Sequence, residues 1–183
     1  MTKKALVILA EGFEEIEAVT SIDILRRSGV EVTIAGLNNF KMMGTSGITI
    51  IADRTMEAIT PDFDACILPG GLPGAKNIAS SEKVKSLILE MNTQGKIIAA
   101  ICASPAIVLA PWGILDNKKA TCYPGMNKNF GPKTTYVEEN VIIDGNIITS
   151  QGPATSLLFA LKIVEELTDK ESSDKLKKSI LLL

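Results

Sequence analysis

Three short runs of this chain are apolar almost without interruption: KALVIL at 4–9, ACIL at 65–68 and IIAAI at 97–101. A strand without polar alternation has no face to offer water, so it belongs inside a sheet covered on both sides. Helix-patterned stretches separate the runs. Residues 14–27 form a predicted helix that ends in Arg26 and Arg27, with Gly29 beyond as a stop. Ser81 is the expected N-cap of a second helix through Gln94, in which Val84, Leu87, Ile88 and Met91 recur at helical spacing before Gly95. Pro105 opens a third toward Ala110, where its missing N–H costs nothing. An amphipathic helix over 154–167 and a charged one to Lys178 follow.

Further strands are expected at 30–35, 48–52 after the Gly44–Gly47 stretch, 120–122 and 135–137, with a helical turn near Met56. Residues 141–143 and 146–148 flank Asp144-Gly145, a dipeptide that closes tight hairpins. Strands alternating with helices predict an α/β sandwich of three layers, a mostly parallel sheet with helices on both faces. The 183 residues show no repeat, low-complexity tract or linker, so one domain over 1–183 is expected.

Composition narrows the function. The hydrophobic content is 46%, the charged content 22% and the formal charge −2, with no basic stripe to follow a phosphate backbone. Nucleic acid and membrane are therefore not expected partners. The Lys3-Lys4 start and the apolar residues after it stop at Glu11 without a cleavage pattern, which reads as a first strand instead of a leader and places the chain in the cytoplasm. The apolar tail at 180–183 is too short to span a bilayer and is expected to dock in a groove of its own chain or of a second subunit. Cys66, Cys102 and Cys122 fit no disulfide framework. Histidine is absent. Its absence removes the Cys-His and Ser-His dyads and the commonest ligand for zinc, copper or iron, so no metal site is expected.

In parallel sheets functional groups gather beyond the carboxyl ends of strands. Three segments stand there: 11–17, 69–74 and 102–105. Cys102 lies between an apolar strand and a helix start, where backbone N–H groups lower a thiol pKa. It is read either as a reactive thiol or as an inert core cysteine. Cys66, inside ACIL with no turn after it, reads as core; Cys122 reads as core or as a border of the same cleft. Pro69-Gly70-Gly71 lets backbone approach a ligand, and with the Ala103 N–H it can form an oxyanion hole. Spaced at ~100° per residue, Glu17 falls among Phe13, Ile24 and Leu25, where desolvation raises a carboxyl pKa. Glu14 and Glu15 read as ordinary exposed carboxylates of a first helical turn.

Together, the 4–10 run, Gly12-Phe13-Glu14-Glu15-Ile16-Glu17, Leu68-Pro69-Gly70-Gly71, Ala99-Ala100-Ile101-Cys102-Ala103 and Thr149-Ser150-Gln151-Gly152-Pro153-Ala154-Thr155-Ser156 resemble the ThiJ/PfpI superfamily, in its branch around the parkinsonism-associated deglycase. The resemblance implies a flavodoxin-like sandwich, a homodimer and no cofactor. It makes Cys102 the reactive cysteine of a strained elbow and Glu17 a protonated partner that hydrogen-bonds it. Gly71 and Ala103 become backbone donors, and Gly70, Tyr123 and Pro153 border the pocket. Some members of the superfamily place a histidine where Thr121-Cys122-Tyr123-Pro124 puts Tyr123. Tyrosine donates a hydrogen bond but is no base near neutrality, which disfavours a peptidase or amidase.

The leading expectation is an enzyme of glyoxalase or deglycase type, acting on methylglyoxal-like dicarbonyls or glycated protein through a hemithioacetal at Cys102. The alternative is a redox sensor or stress-protective, chaperone-like protein oxidised at the same thiol.

Overall fold

The computed structural model describes residues 2–182. A seven-stranded sheet forms its centre, built from β1 (Lys4–Leu9), β2 (Glu31–Gly36), β5 (Arg54–Thr55), β6 (Ala65–Leu68), β7 (Ile97–Ile101), β10 (Val141–Asp144) and β11 (Ile147–Ser150). The spatial order is β10-β11-β7-β6-β1-β2-β5, and every neighbouring pair is parallel except β10 with β11. Two small pairs lie outside it: the hairpin β3 (Lys41–Met43) with β4 (Thr49–Ile51), and β8 (Lys119–Ala120) with β9 (Thr135–Tyr136). The helices are α1 (Glu15–Arg27), α2 (Gly74–Ala79), α3 (Glu82–Thr93), α4 (Ser156–Leu167) and α5 (Lys170–Ser179).

The apolar runs behave as their composition demands. Ala5 to Leu9, all of β6 and Ile98 to Ile101 are fully buried, and each buried Leu or Ile adds roughly 1.5–3 kcal/mol of transfer free energy. Ser81 caps α3 by accepting the Val84 N–H at 3.3 Å. Register then decides where chemistry can occur. Val7 stands beside Ile67, Leu68 beside Ala100 and Ile101 beside Ser150, so β1, β6, β7 and β11 end together on one side of the sheet.

Several local expectations change. The hairpin turn falls on Gly145-Asn146, because Asp144 pairs with Ile147 and Asn146 turns inward to bond Asn92 and the Lys96 carbonyl. The strand expected at 120–122 stops at Ala120, and the Thr121 N–H bonds the Thr149 hydroxyl. After Pro105 the helix over Pro105–Leu109 is wound wider than an α-helix, with the Ala110 N–H reaching back to the Pro105 carbonyl. The strand expected at 48–52 is one arm of the β3–β4 hairpin. In the tail, Ile180 and Leu182 pack on the chain's own core, whereas Leu181 is exposed; Leu183 lies outside the described residues. No helix among the described residues is long and apolar enough to cross a membrane.

Candidate active site

Cys102 follows the last residue of β7 with φ at +62°, a left-handed conformation that a side chain enters at a cost of roughly 1–2 kcal/mol. Neighbouring strands hold it there. Its N–H donates to the Ser150 carbonyl at 3.0 Å, keeping sheet register, and its own carbonyl accepts the Tyr123 N–H at 2.8 Å. Two residues on, the buried Ser104 hydroxyl donates to the Pro69 carbonyl at 2.6 Å, tying the β7 turn to the β6 turn. Cys102 is 9% exposed, so it is nearly buried but not sealed from solvent.

Gly70 is where the site converges. A Cβ on it would lie 2.6 Å from the Cys102 Cβ, 2.9 Å from Glu17 Oε2 and 3.0 Å from the Ala103 nitrogen. Only a glycine lets thiol and carboxyl meet across this turn. Its N–H donates to Glu17 Oε2 at 2.7 Å. Gly71 takes φ +92°, and its N–H and that of Ala103 face the sulfur.

Glu17 is completely buried. Burial raises its carboxyl pKa to about 7 against the lowering effect of the Gly70 and Cys102 contacts. Oε1 is buried without a partner of good hydrogen-bond geometry, which leaves one lone-pair direction free for a proton. The expectation of a lowered thiol pKa does not hold. Burial first, and the Glu17 carboxylate second, push Cys102 up to about 12, although the Gly71 and Ala103 N–H groups pull the other way. Two buried acids side by side cannot both ionise freely, so one proton is held between them.

Tyr123 is half-exposed, and a Cβ on Gly152 would lie 3.4 Å from its ring, so the turn leading into Pro153 stands beside it. Pro153 opens the short turn Pro153–Thr155, which the Thr155 hydroxyl closes by bonding the Gly152 backbone and the Ser150 hydroxyl. Cys66 is fully buried in β6, and desolvation raises its thiol far above the ordinary range. Cys122 is likewise buried, its pKa pushed up to about 11 by burial. Among the described residues no group of three or more Cys, Asp or Glu side chains is placed to hold a metal ion.

The expectation for Glu14 and Glu15 needs correction. Glu14 is the N-cap of α1, accepting the Glu17 N–H at 2.7 Å. Glu15 is 5% exposed and turns into the loop between β3 and β4. It accepts the Thr45 hydroxyl at 3.0 Å, the Ser46 N–H at 2.6 Å and the Ile48 N–H at 3.4 Å. Burial opposes its ionisation, and these hydrogen bonds outweigh burial and hold its carboxyl below the ordinary range. The only hint in the sequence was the donor-rich Gly44-Thr45-Ser46-Gly47, which nothing local linked to residue 15.

The comparisons with known proteins bear on the family and the fold. The model of the DJ-1/PfpI family matches residues 3–166. The protein dj-1beta of Drosophila melanogaster is 42% identical over 185 residues, covering 100% of this chain and 98% of that protein. The protein named glutathione-independent glyoxalase DJR-1.2 of Caenorhabditis elegans is 35% identical over 182 residues, covering 98% and 97%. Two Arabidopsis thaliana relatives, DJ-1 homologs B and A, are longer, and this chain spans 40% and 47% of them. Among solved structures, oxidised Toxoplasma gondii DJ-1 superposes with a TM-score of 0.95 at 38% identity, covering 98% of each chain. Crystalline Drosophila DJ-1beta gives 0.96 at 41%, covering 100% of both. The sheet order, the turn that carries Cys102 and these matches lead to one conclusion: the chain belongs to the DJ-1/PfpI family.

Proposed function

We propose that this protein is a glyoxalase- or deglycase-type enzyme that converts small reactive dicarbonyls, or their early protein adducts, to hydroxy acids through Cys102. The observation that carries the reading is the meeting of Cys102 and Glu17 across Gly70, with two backbone N–H groups turned to the sulfur. The name of the Caenorhabditis relative supports the same class of chemistry.

On this reading the Glu17 carboxylate takes the Cys102 proton as sulfur attacks the aldehyde carbon of methylglyoxal, and the product is a hemithioacetal. A carboxyl with a pKa near 7 is suited to give and take that proton. The Gly71 and Ala103 N–H groups stabilise the oxyanion. Glu17 hands the thiol proton to the oxyanion, completing the hemithioacetal, and is a carboxylate again. It then removes the proton from the former aldehyde carbon to give an enediol and returns it to the neighbouring carbon, while the first carbon's hydroxyl proton passes to the neighbouring oxygen, leaving a lactoyl thioester on Cys102. Water hydrolyses the thioester to lactate and restores the thiol, so the sum is methylglyoxal plus water to lactic acid. No step passes through a metal or coenzyme. Tyr123 and Pro153 border the entrance. The same reading has the protein act in the cytoplasm as a homodimer, and sedimentation of the pure protein measures the oligomeric state.

Lactate formed from methylglyoxal after trace-metal removal is the decisive assay. Cys102→Ser is expected to abolish it, and Glu17→Gln to lower kcat by roughly 10²–10⁴. Full turnover by both variants would end the proposal. A second reading, oxidation sensing at Cys102, is favoured by the same N–H groups, which suit a sulfinate as well as an oxyanion. Graded peroxide followed by mass spectrometry separates the two: selective, stable gain of two oxygens at Cys102 with no turnover supports sensing.

A further inference from the structure

Outside the thiol and its carboxyl, the most heavily bonded buried ionisable side chain is Glu15, and its bonds run away from the site. The segment that leads into it is clamped on both sides. Toward the hairpin, the Gly12 N–H donates to the Met43 carbonyl at 2.8 Å and the Thr45 N–H to the Phe13 carbonyl at 2.9 Å. Toward the site, the Glu14 N–H donates to the Gly70 carbonyl at 3.0 Å, and a Cβ on Gly71 would lie 2.6 Å from the Glu14 nitrogen. Residues 12–14 are thus the layer between the hairpin turn and the Gly70-Gly71 backbone that faces the sulfur.

We propose that Glu15 is a positioning residue that locks the β3–β4 turn onto residues 12–14, so that the Gly71 N–H and the Glu17 carboxyl stay aimed at Cys102. Three features make it a lock. The carboxylate is buried, yet two of its donors are backbone N–H groups, which fix the path of the chain. Gly44 leaves room for it: a Cβ there would lie 2.7 Å from the Glu15 Cγ. Residues 45–48 are exposed, so water satisfies their N–H groups once the carboxylate is gone. Loss of the lock therefore displaces the turn without unfolding the domain.

The catalytic consequence rests on the function proposed above, whereas the placement of the thiol does not. The test follows Cys102 alkylation by iodoacetamide against pH, read by peptide mass spectrometry, alongside kcat and KM for methylglyoxal. Glu15→Ala is expected to change the Cys102 alkylation rate by about threefold or more at each pH between about 6 and 9 and to lower kcat about tenfold with KM nearly unchanged. Glu15→Gln keeps one acceptor oxygen and is expected to recover most of both. Gly44→Ala, which displaces the carboxylate without removing it, is expected to reproduce Glu15→Ala and serves as the test should that variant fail to fold. Alkylation profiles for Glu15→Ala or Gly44→Ala that superpose on wild type would overturn the proposal. A wild type without turnover ends the functional reading alone, and alkylation still decides the lock.

Discussion

Glu15 and Glu17 stand two residues apart in the first turn of α1, both buried, and they titrate in opposite directions. Glu15 faces a loop with donors to spare and is held as a carboxylate. Glu17 faces the sheet end, has one N–H donor and otherwise a thiol, and its carboxyl keeps its proton up to about pH 7. Burial acts on both. The number of donors opposite each carboxyl decides which form survives. One helical turn thus holds one carboxylate charged and keeps the other protonated up to about pH 7.

Activity gives the largest effect with which to break this contrast. With Glu17 as the base of the proposed mechanism, kcat/KM is expected to rise with pH through about 7, and the Glu17→Gln variant to lose that rise. A wild-type profile flat between pH 5 and 9 would remove the base from the mechanism.

Stability gives the next. For Glu17 the folded pKa lies above the ordinary 4.5, so the folded state holds its proton more tightly than the unfolded chain. Its contribution is greatest below the unfolded value, and it is lost as pH rises toward about 7, by roughly 3 kcal/mol across that window. Glu17→Gln is therefore expected to lose less stability than wild type between pH 4.5 and 8, as urea titrations at several pH values will measure. Glu15 has the opposite sign: its folded pKa is depressed, so its contribution is present above the unfolded value and lost on acidification. Glu15→Gln should flatten the acid side of the same curve, by less, because exposed hairpin donors find water.

The smallest effect concerns the thiols. Cys66 lies in β6, one strand from Cys102, and Cys66→Ala is expected to leave the Cys102 alkylation profile where it was. A shift there would mean that packing of the strand interior, and not the turn, sets the thiol's reactivity.

Much of this was legible in the sequence. KALVIL, ACIL and IIAAI required burial on two faces, and parallel order followed. Glu17 was found because helical periodicity places it on the apolar side of α1. Tertiary contacts decided the rest. Glu15 falls on the turn's other face, and only a hairpin 30 residues away in sequence makes it buried. The short edge strand β5 and helix α2 have too few residues for periodicity to register. The thiol pKa went astray because dipole and N–H arguments are local, while desolvation and the Glu17 charge come from the assembled fold.

The positive φ of Cys102 has one further consequence. A glycine at 102 would occupy that dihedral without the steric cost of roughly 1–2 kcal/mol. It would also give up the buried packing of the sulfur and add chain entropy to the unfolded state, so the two sides nearly offset. Stability therefore does not by itself select between the two residues at this elbow. Cys102→Gly would thus separate the two properties of the position, removing the sulfur while leaving the melting temperature nearly unchanged.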